Sequence, residues 1–329
     1  MKNLTQLGIC CLGLLVIACG GSKGNLSDAQ LIANGMVFPP DYQAKTQSLK
    51  VLSWNVEHFV DEYNNPYINN NREDNPPVDM IERVALLSEA LKLIDADIVV
   101  LQEFESENFA RALAREKFPE LGYTFFTASE SPTWYMNVVV MSRVPLGTHY
   151  SYGRVSTPII GKLNEDGSQA SQNQINTRMW SVDVFPNPDY AFTLSGVHLK
   201  AGRGDENAGY RKGQFRFLKG QFARFIAERP KANILLVGDF NSYPDSPELQ
   251  EFLLPENGVR MINPTEGQVL FTHTADKPER QLDYILYNDH MKPEIVDNSY
   301  KIPMPFEATE MRRIADHLPL VIEFELTDK

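Results

Sequence analysis

Cysteine is nearly missing from this chain. The three present, Cys10, Cys11 and Cys19, fall within the first nineteen residues, so the rest can hold neither a disulfide framework nor a cysteine-ligated zinc. Positive charge is also short, with 31 Lys and Arg against 43 Asp and Glu, a net −12. A protein that coats nucleic acid electrostatically uses Lys and Arg to replace counterions, so that class is excluded. An enzyme that touches a few phosphates and lets go is not. No apolar run is long enough to cross a bilayer as a helix, and no fixed-period repeat appears. What remains, 43% apolar and 22% charged over 329 residues, is the composition of one large globular domain or two average ones.

The one extended apolar stretch, Leu7 to Ala18, follows Lys2 and has the layout of a secretion signal. It ends in Val16-Ile17-Ala18-Cys19-Gly20, which resembles a bacterial lipobox, in which the cysteine becomes the lipidated first residue. The expectation is a leader over 1–18, lipidation at Cys19, and an outer-membrane anchor, because residue 20 is Gly rather than Asp. Acyl chains would tether the protein without a membrane-spanning helix. Residues 19–47, with Gly20, Gly21, Ser22, Gly24, Pro39 and Pro40, read as a tether, and the folded domain is expected over 48–327.

Beyond the tether, short apolar runs alternate with amphipathic stretches, the pattern of a mixed α/β domain. Strands are expected at Leu49 to Val56, Asp97 to Leu101, Phe125 to Phe126, Asn137 to Met141, Trp180 to Val184, Ala191 to Val197, Ile234 to Val237, Leu282 to Leu286 and Leu320 to Leu326. Met80, Ile81, Val84, Leu87, Leu91 and Ile94 recur at helical spacing, with Arg83 among the charged residues between them. Phe215, Leu218, Phe222, Phe225 and Ile226 mark a second helix, whose stripe is read as core packing. Ser246-Pro247-Glu248 reads as a helix start with Ser246 as the cap. Asp61 to Val78 and Ile160 to Thr177 read as long polar loops.

Five segments place polar residues where an apolar strand ends: Ser53-Trp54-Asn55-Val56-Glu57, Leu101-Gln102-Glu103, Gly196-Val197-His198-Leu199-Lys200, Val237-Gly238-Asp239-Phe240-Asn241, and Ala315-Asp316-His317-Leu318-Pro319. Strand ends held by a packed core are rigid mounts on which such groups can converge. Oxygen donors from Asn55, Glu103, Asp239, Asn241 and Asp316, without cysteine, suit Mg²⁺, Mn²⁺ or Ca²⁺ better than structural zinc. Histidines beside carboxylates suit acid–base work near neutral pH.

These motifs, in this order and with Gln281-Leu282-Asp283-Tyr284-Ile285 between the last two, resemble the endonuclease/exonuclease/phosphatase superfamily, whose members include deoxyribonuclease I-like enzymes. The resemblance implies two packed mixed β-sheets flanked by helices, a four-layer α/β/β/α sandwich with its site at one rim. It implies Glu103 as principal metal ligand, with Asn55 and Asp316 completing the sphere around Mg²⁺ or Mn²⁺. Asp239 and Asn241 are expected to orient the attacking water and hold phosphoryl oxygens. His317 is expected as the catalytic imidazole, its tautomer fixed by Asp283, with His198 on the other side of the phosphate and Arg178 as a phosphate clamp. Asn137 is expected to orient His198.

The implied activity is a metal-dependent phosphoesterase outside the cytoplasm, a phosphodiesterase cutting nucleic acid, with weak substrate binding and a monomeric chain. A phosphomonoesterase or lipid phosphodiesterase with the same site, and a silent surface binding protein keeping the fold, stay open as alternatives. Neither polar loop carries an obvious apolar insertion element for a lipid enzyme. Glu57 is balanced between assisting the metal and a surface acid. Lys200 and Arg203 are read as solvated loop charges, and His58, His149, His273 and His290 as surface or loop residues.

Overall fold

Successive residues of strand β1 (Ser48–Phe59) point to opposite faces, and both faces are covered. Leu49 and Val51 enter one core, whereas Leu52, Trp54 and Val56 enter another. A strand buried on both sides needs apolar residues at consecutive positions, so it reads as a run and not as an alternation. The computed structural model describes residues 42–131, 134–172, 178–265 and 267–329. The expected leader, Cys19 and the tether as far as residue 41 lie outside the described residues. Packing begins ahead of β1: Ala44 is buried and its amide donates to the Pro186 carbonyl at 2.7 Å.

The chain continues through α1 (Asn71–Asp74), α2 (Met80–Ile94), β2 (Ile98–Phe104), α3 (Glu107–Lys117), β3 (Phe125–Ala128), β4 (Asn137–Ser142) and β5 (Leu146–Ser151). There follow β6 (Thr157–Leu163), β7 (Gln169–Gln172), β8 (Met179–Asn187), β9 (Tyr190–His198), α4 (Asp205–Glu228) and β10 (Asn233–Asp239). The last elements are α5 (Pro247–Leu253), β11 (Met261–Ile262), β12 (Asp283–Asn288), α6 (Ala308–Ile314) and β13 (Leu320–Glu325). One sheet has the order β13-β1-β2-β4-β3 and the other β11-β12-β10-β9-β8-β5. Each is mixed, with one parallel pair bridged by a helix, β1–α2–β2 in the first and β9–α4–β10 in the second.

Val51, Val100, Val140, Trp180, Leu235, Ile285 and Ile322 fill the space between the sheets. The outer face of the first sheet packs on α2, α3 and α6 through Leu91, Phe109 and Met311. The outer face of the second packs on α4 and α5 through Phe215, Phe222 and Phe252. The result is the expected four-layer α/β/β/α sandwich. Among the described residues no helix is long and apolar enough to cross a membrane.

Local expectations fail in informative places. Ile160 to Thr177 is not simply a loop, because β6 and β7 pair as a hairpin that sits on α4. The contact is backbone against backbone: a Cβ on Gly209 would lie 2.4 Å from the Ile160 carbonyl oxygen, and one on Gly213 1.9 Å from that of Pro158. Ser246 occupies the N-cap position of α5, but its hydroxyl makes no cap bond. Ile81 faces solvent, while Arg83, expected among the exposed charges of α2, is buried. Its guanidinium donates to the carbonyls of Val56, Glu57 and Ile314, tying the end of β1 to two helices.

Candidate active site

The parallel pairs decide where the polar strand ends meet. Asn55 lies towards the carboxyl end of β1 and Glu103 at that of β2. His198 closes β9 and Asp239 closes β10, and the two are register partners. Asp283 opens the antiparallel β12 opposite Asp239, so His198, Asp239 and Asp283 stand side by side on three adjacent strands. Asp316 and His317 immediately precede β13. The Trp54 indole donates to the His317 carbonyl at 2.9 Å, pinning that segment to β1.

The side chains form one continuous cluster. Asn55 Nδ2 reaches Glu103 Oε1 at 3.3 Å and Asp239 Oδ2 at 3.1 Å, so this amide bridges the two sheets. His198 Nε2 is 3.8 Å from Glu103 Oε1 and 3.6 Å from Asp239 Oδ2. Asn241 donates its amide N–H to Asp239 Oδ1 at 2.8 Å and its side-chain N–H to Asp239 Oδ2 at 3.2 Å. His317 Nδ1 is 2.7 Å from Asp283 Oδ2, which also accepts from the Thr272 hydroxyl at 2.6 Å. His317 Nε2 is left facing Asp239 Oδ2 and Asp316 Oδ1, each 3.9 Å away.

The backbone is bent to serve this convergence. Glu57, His58, Glu103 and Asn241 all have positive φ, between 48° and 57°. Such residues cost roughly 1–3 kcal/mol each and persist where the surroundings over-determine them. Gly238, at φ +141°, lets β10 pass close to β9, since a Cβ there would sit 1.9 Å from the Val197 carbonyl oxygen.

Burial and neighbouring charge set the protonation states. Burial alone would raise the Glu103 carboxyl, but hydrogen bonds from the Asn55 side chain and the His58 amide stabilise its anion and hold it below the usual range. Burial pushes Asp239 up to about 7, helped by Asp283 and Glu103 and opposed by His317. Burial draws His198 down to about 4 despite Glu103. Burial also works to lower His317, yet the charge and hydrogen bond of Asp283 prevail and lift it to about 10. Arg178 is lowered by burial, against the opposing charges of Glu103 and Asp239.

Several residues act differently from expectation. His58 is no bystander: its amide donates to Glu103 Oε2 at 3.0 Å, its Nδ1 meets the Tyr135 hydroxyl at 2.7 Å, and its Nε2 is 3.6 Å from Glu103 Oε2. His273 also belongs to the site, 3.3 Å from Asp316 Oδ2 and edge-on to the His317 ring. His149 is partly buried among Thr127, Ser129 and Trp180, and only His290 is exposed. Asn137 serves the Glu105 carbonyl and the Ser131 amide rather than His198. Glu57 is ion-paired with Arg312 at 2.7 Å. Lys200 Nζ turns back to the Ala201 carbonyl.

The donor set fits a hard divalent cation. Carboxylates of Glu103, Asp239, Asp283 and Asp316 belong to one cluster around His198 and His317, and Asp239 is destabilised as an anion there, so added positive charge would be favoured. Two three-residue groups among the described residues bring their ligand atoms within 4.8 Å of one another: His273, Asp316 and His317, and Asp239, Asp283 and His317. In the second, His317 Nδ1 is already engaged by Asp283.

Residues 52–298 match the Endonuclease/Exonuclease/phosphatase family. The chain belongs to that family. Its members are metal-dependent phosphoester hydrolases. Among solved structures the chain is similar to the human Nocturnin catalytic domain with bound sulfate, at 18% identity, covering 87% of this chain and 97% of that one with a TM-score of 0.57. It is similar to TDP2 of D. rerio complexed with a single-strand DNA product, at 17% identity, 85% and 100% coverage and a TM-score of 0.56. An endonuclease/exonuclease/phosphatase from Beutenbergia cavernae aligns at 20% identity, 85% and 72% coverage and a TM-score of 0.53. At these identities the likeness is one of fold. No curated protein matches the chain.

Proposed function

We propose that this member of the family is an extracytoplasmic, lipid-anchored phosphodiesterase that hydrolyses nucleic acid with Mg²⁺ or Mn²⁺. The observation that carries the chemistry is the position of Asp239, held by Asn55 and Asn241 between His198 at 3.6 Å and His317 at 3.9 Å, on the rim that carries Glu103. The anchor and location rest on the sequence alone, on Leu7 to Ala18 followed by Cys19.

Each side chain then has a task in in-line displacement at phosphorus. Asp239, with its carboxyl raised to about 7 by burial, orients the water and takes its proton near neutral pH. His317, kept protonated by Asp283, presents Nε2–H to the developing charge on phosphoryl oxygen. His198, drawn by burial to about 4, is a neutral imidazole that contacts the phosphate without repelling His317. Arg178 adds a guanidinium on the Glu103 and Asp239 side. Glu103 and Asp316 would hold the cation, which neutralises phosphate charge when bound, while Asn55, whose Oδ1 accepts from the Glu57 amide and whose Nδ2 donates to Glu103 and Asp239, positions those carboxylates instead of ligating as expected.

The full chain is assayed on DNA, RNA and bis-p-nitrophenyl phosphate with Mg²⁺ or Mn²⁺. Metal-dependent turnover is expected on at least one diester, reduced about 100-fold or more in Glu103→Ala and His317→Ala. Variants indistinguishable from the parent defeat the proposal. Cys19→Ser is expected to abolish acylation and release the protein from the membrane fraction. Lipid phosphodiester hydrolysis has one observation in its favour: Tyr63, Tyr67, Val78 and Ile81 stand exposed on the segment running from β1 into α2. Turnover of sphingomyelin vesicles in preference to DNA would select that reading.

A further inference from the structure

The hairpin over residues 272–280 is docked on the Asp316–His317 segment by backbone bonds. The Leu318 amide donates to the Thr272 carbonyl at 2.7 Å and the Ala275 amide to the Asp316 carbonyl at 2.8 Å. Across the same hairpin His273 and Arg280 are bridge partners, which places the Arg280 guanidinium against the His273 ring. His273 is mostly buried, at 13% side-chain exposure, and Asp316 is half-buried at 27%. Neither His273 nor Arg280 belongs to a recognised motif of the chain, yet together they lead from the surface to a carboxylate at the centre of the site.

The donors and acceptors along this path favour one arrangement. Arg280 Nη2 is 2.5 Å from His273 Nδ1 and 3.4 Å from Nε2; a guanidinium only donates and the Asp316 carboxylate beside Nε2 only accepts, so the nearer Nδ1 is the unprotonated acceptor. The ring proton therefore sits on Nε2, 3.3 Å from Asp316 Oδ2, and is donated to it. Oδ2 is thereby occupied, and Oδ1 is the oxygen turned to His317 Nε2 at 3.9 Å and the interior of the cluster. Partners of this kind orient ligands and hold them in the required ionisation state.

We propose that Arg280 and His273 are positioning residues, a hydrogen-bonded relay that fixes the tautomer of His273 and presents Asp316 Oδ1 to a divalent cation. The inference rests on reading Asp316 as a cation ligand. The arrangement disfavours His273 as a ligand itself, because its Nε2 carries a proton and its Nδ1 is engaged by Arg280.

The test uses the full chain and Mn²⁺ as probe, with affinity measured by calorimetry and by electron paramagnetic resonance. His273→Leu is expected to weaken Mn²⁺ binding about 10–100-fold, the usual effect of losing such a partner. His273→Gln, whose side-chain N–H can replace Nε2–H, is expected to stay within about 3-fold of the parent, and Arg280→Met to weaken binding by less than His273→Leu. Nitrogen-15 spectra of the metal-free protein should show the Nε2–H tautomer at His273 and a tautomer mixture in Arg280→Met. Unchanged Mn²⁺ affinity in His273→Leu, or an imidazole-nitrogen coupling to Mn²⁺ that disappears in His273→Gln, overturns the relay. These readouts need no turnover. A parent protein that binds Mn²⁺ but hydrolyses no phosphoester would defeat the proposed activity and leave the relay standing.

Discussion

Replacing Asp283 with Asn tests the electrostatic centre of the site with the least change of shape. Asp283 Oδ2 accepts from both His317 Nδ1 and the Thr272 hydroxyl, and an amide oxygen can keep those two bonds while the charge disappears. His317 has a folded pKa of about 10 against an unfolded value of 6.5, a raised value. The stabilisation this represents is fully present below pH 6.5 and is lost as pH rises through 10. At 1.36 kcal/mol per unit it amounts to about 5 kcal/mol below pH 6.5, about 3 at pH 8 and almost none by pH 10. Asp239, at about 7, is ionised throughout the upper half of that window and adds no slope there.

Urea denaturation of the parent and Asp283→Asn, with chelator present, should show a difference of about 3–5 kcal/mol at pH 6 that shrinks steadily towards pH 9.5. The His317 proton resonances of the variant should titrate several units lower than those of the parent. In the metal-loaded protein kcat/KM should fall about 100-fold or more, with the alkaline limb of its pH profile moved to lower pH. An equal stability difference at pH 6 and 9.5, or an unshifted His317 titration, would refute the reasoning.

Gly238→Ala should destabilise the fold by about 3 kcal/mol or more in urea melts, because its Cβ would strike the Val197 carbonyl and φ is +141°. Trp54→Phe removes the indole donor from the buried His317 carbonyl, and a loss of about 1–3 kcal/mol is expected in thermal unfolding, with lower kcat and little change in KM. Because the chain carries a net −12, the logarithm of any DNA affinity should fall with log salt at a slope of about 3 or less, measured by fluorescence anisotropy. A steep slope would show a basic track that the charge balance does not suggest.

The strands were legible where both faces are buried. β2, β4, β10 and β13 carry runs of consecutive apolar residues because one face meets the opposite sheet and the other meets helices, and β1 carries Leu49, Val51, Leu52, Trp54 and Val56 on its two covered faces among polar residues. The site residues at their ends were legible for the same reason, as Asn55, Glu103 and Asp239 each interrupt such a run. The β6–β7 hairpin left no comparable trace, since only Thr157, Ile159 and Ala170 of it are buried and it approaches α4 closely at the backbones of Gly209 and Gly213, where glycine leaves no apolar side chain to mark the contact. Arg83 sits within a helix stripe as any surface charge does, and only the carbonyls around it reveal why it is buried. His58 and His273 gave no signal either: each lies in a bend or hairpin whose course depends on contacts distant in sequence.

The hydrophobic pattern was enough to specify a mixed α/β domain, and the ordered motifs at the strand ends, through their resemblance to the endonuclease/exonuclease/phosphatase superfamily, implied the two-sheet sandwich and most of the groups at its rim. These properties depend on local pattern and on what must be hidden from water. Which of two oxygens on Asp316 is free, which histidine is charged and which neutral, and why Arg280 bears on the site were decided by the folded chain alone. Such properties are set by distances of a few ångströms between segments far apart in sequence, and by the burial that strengthens every charge held there.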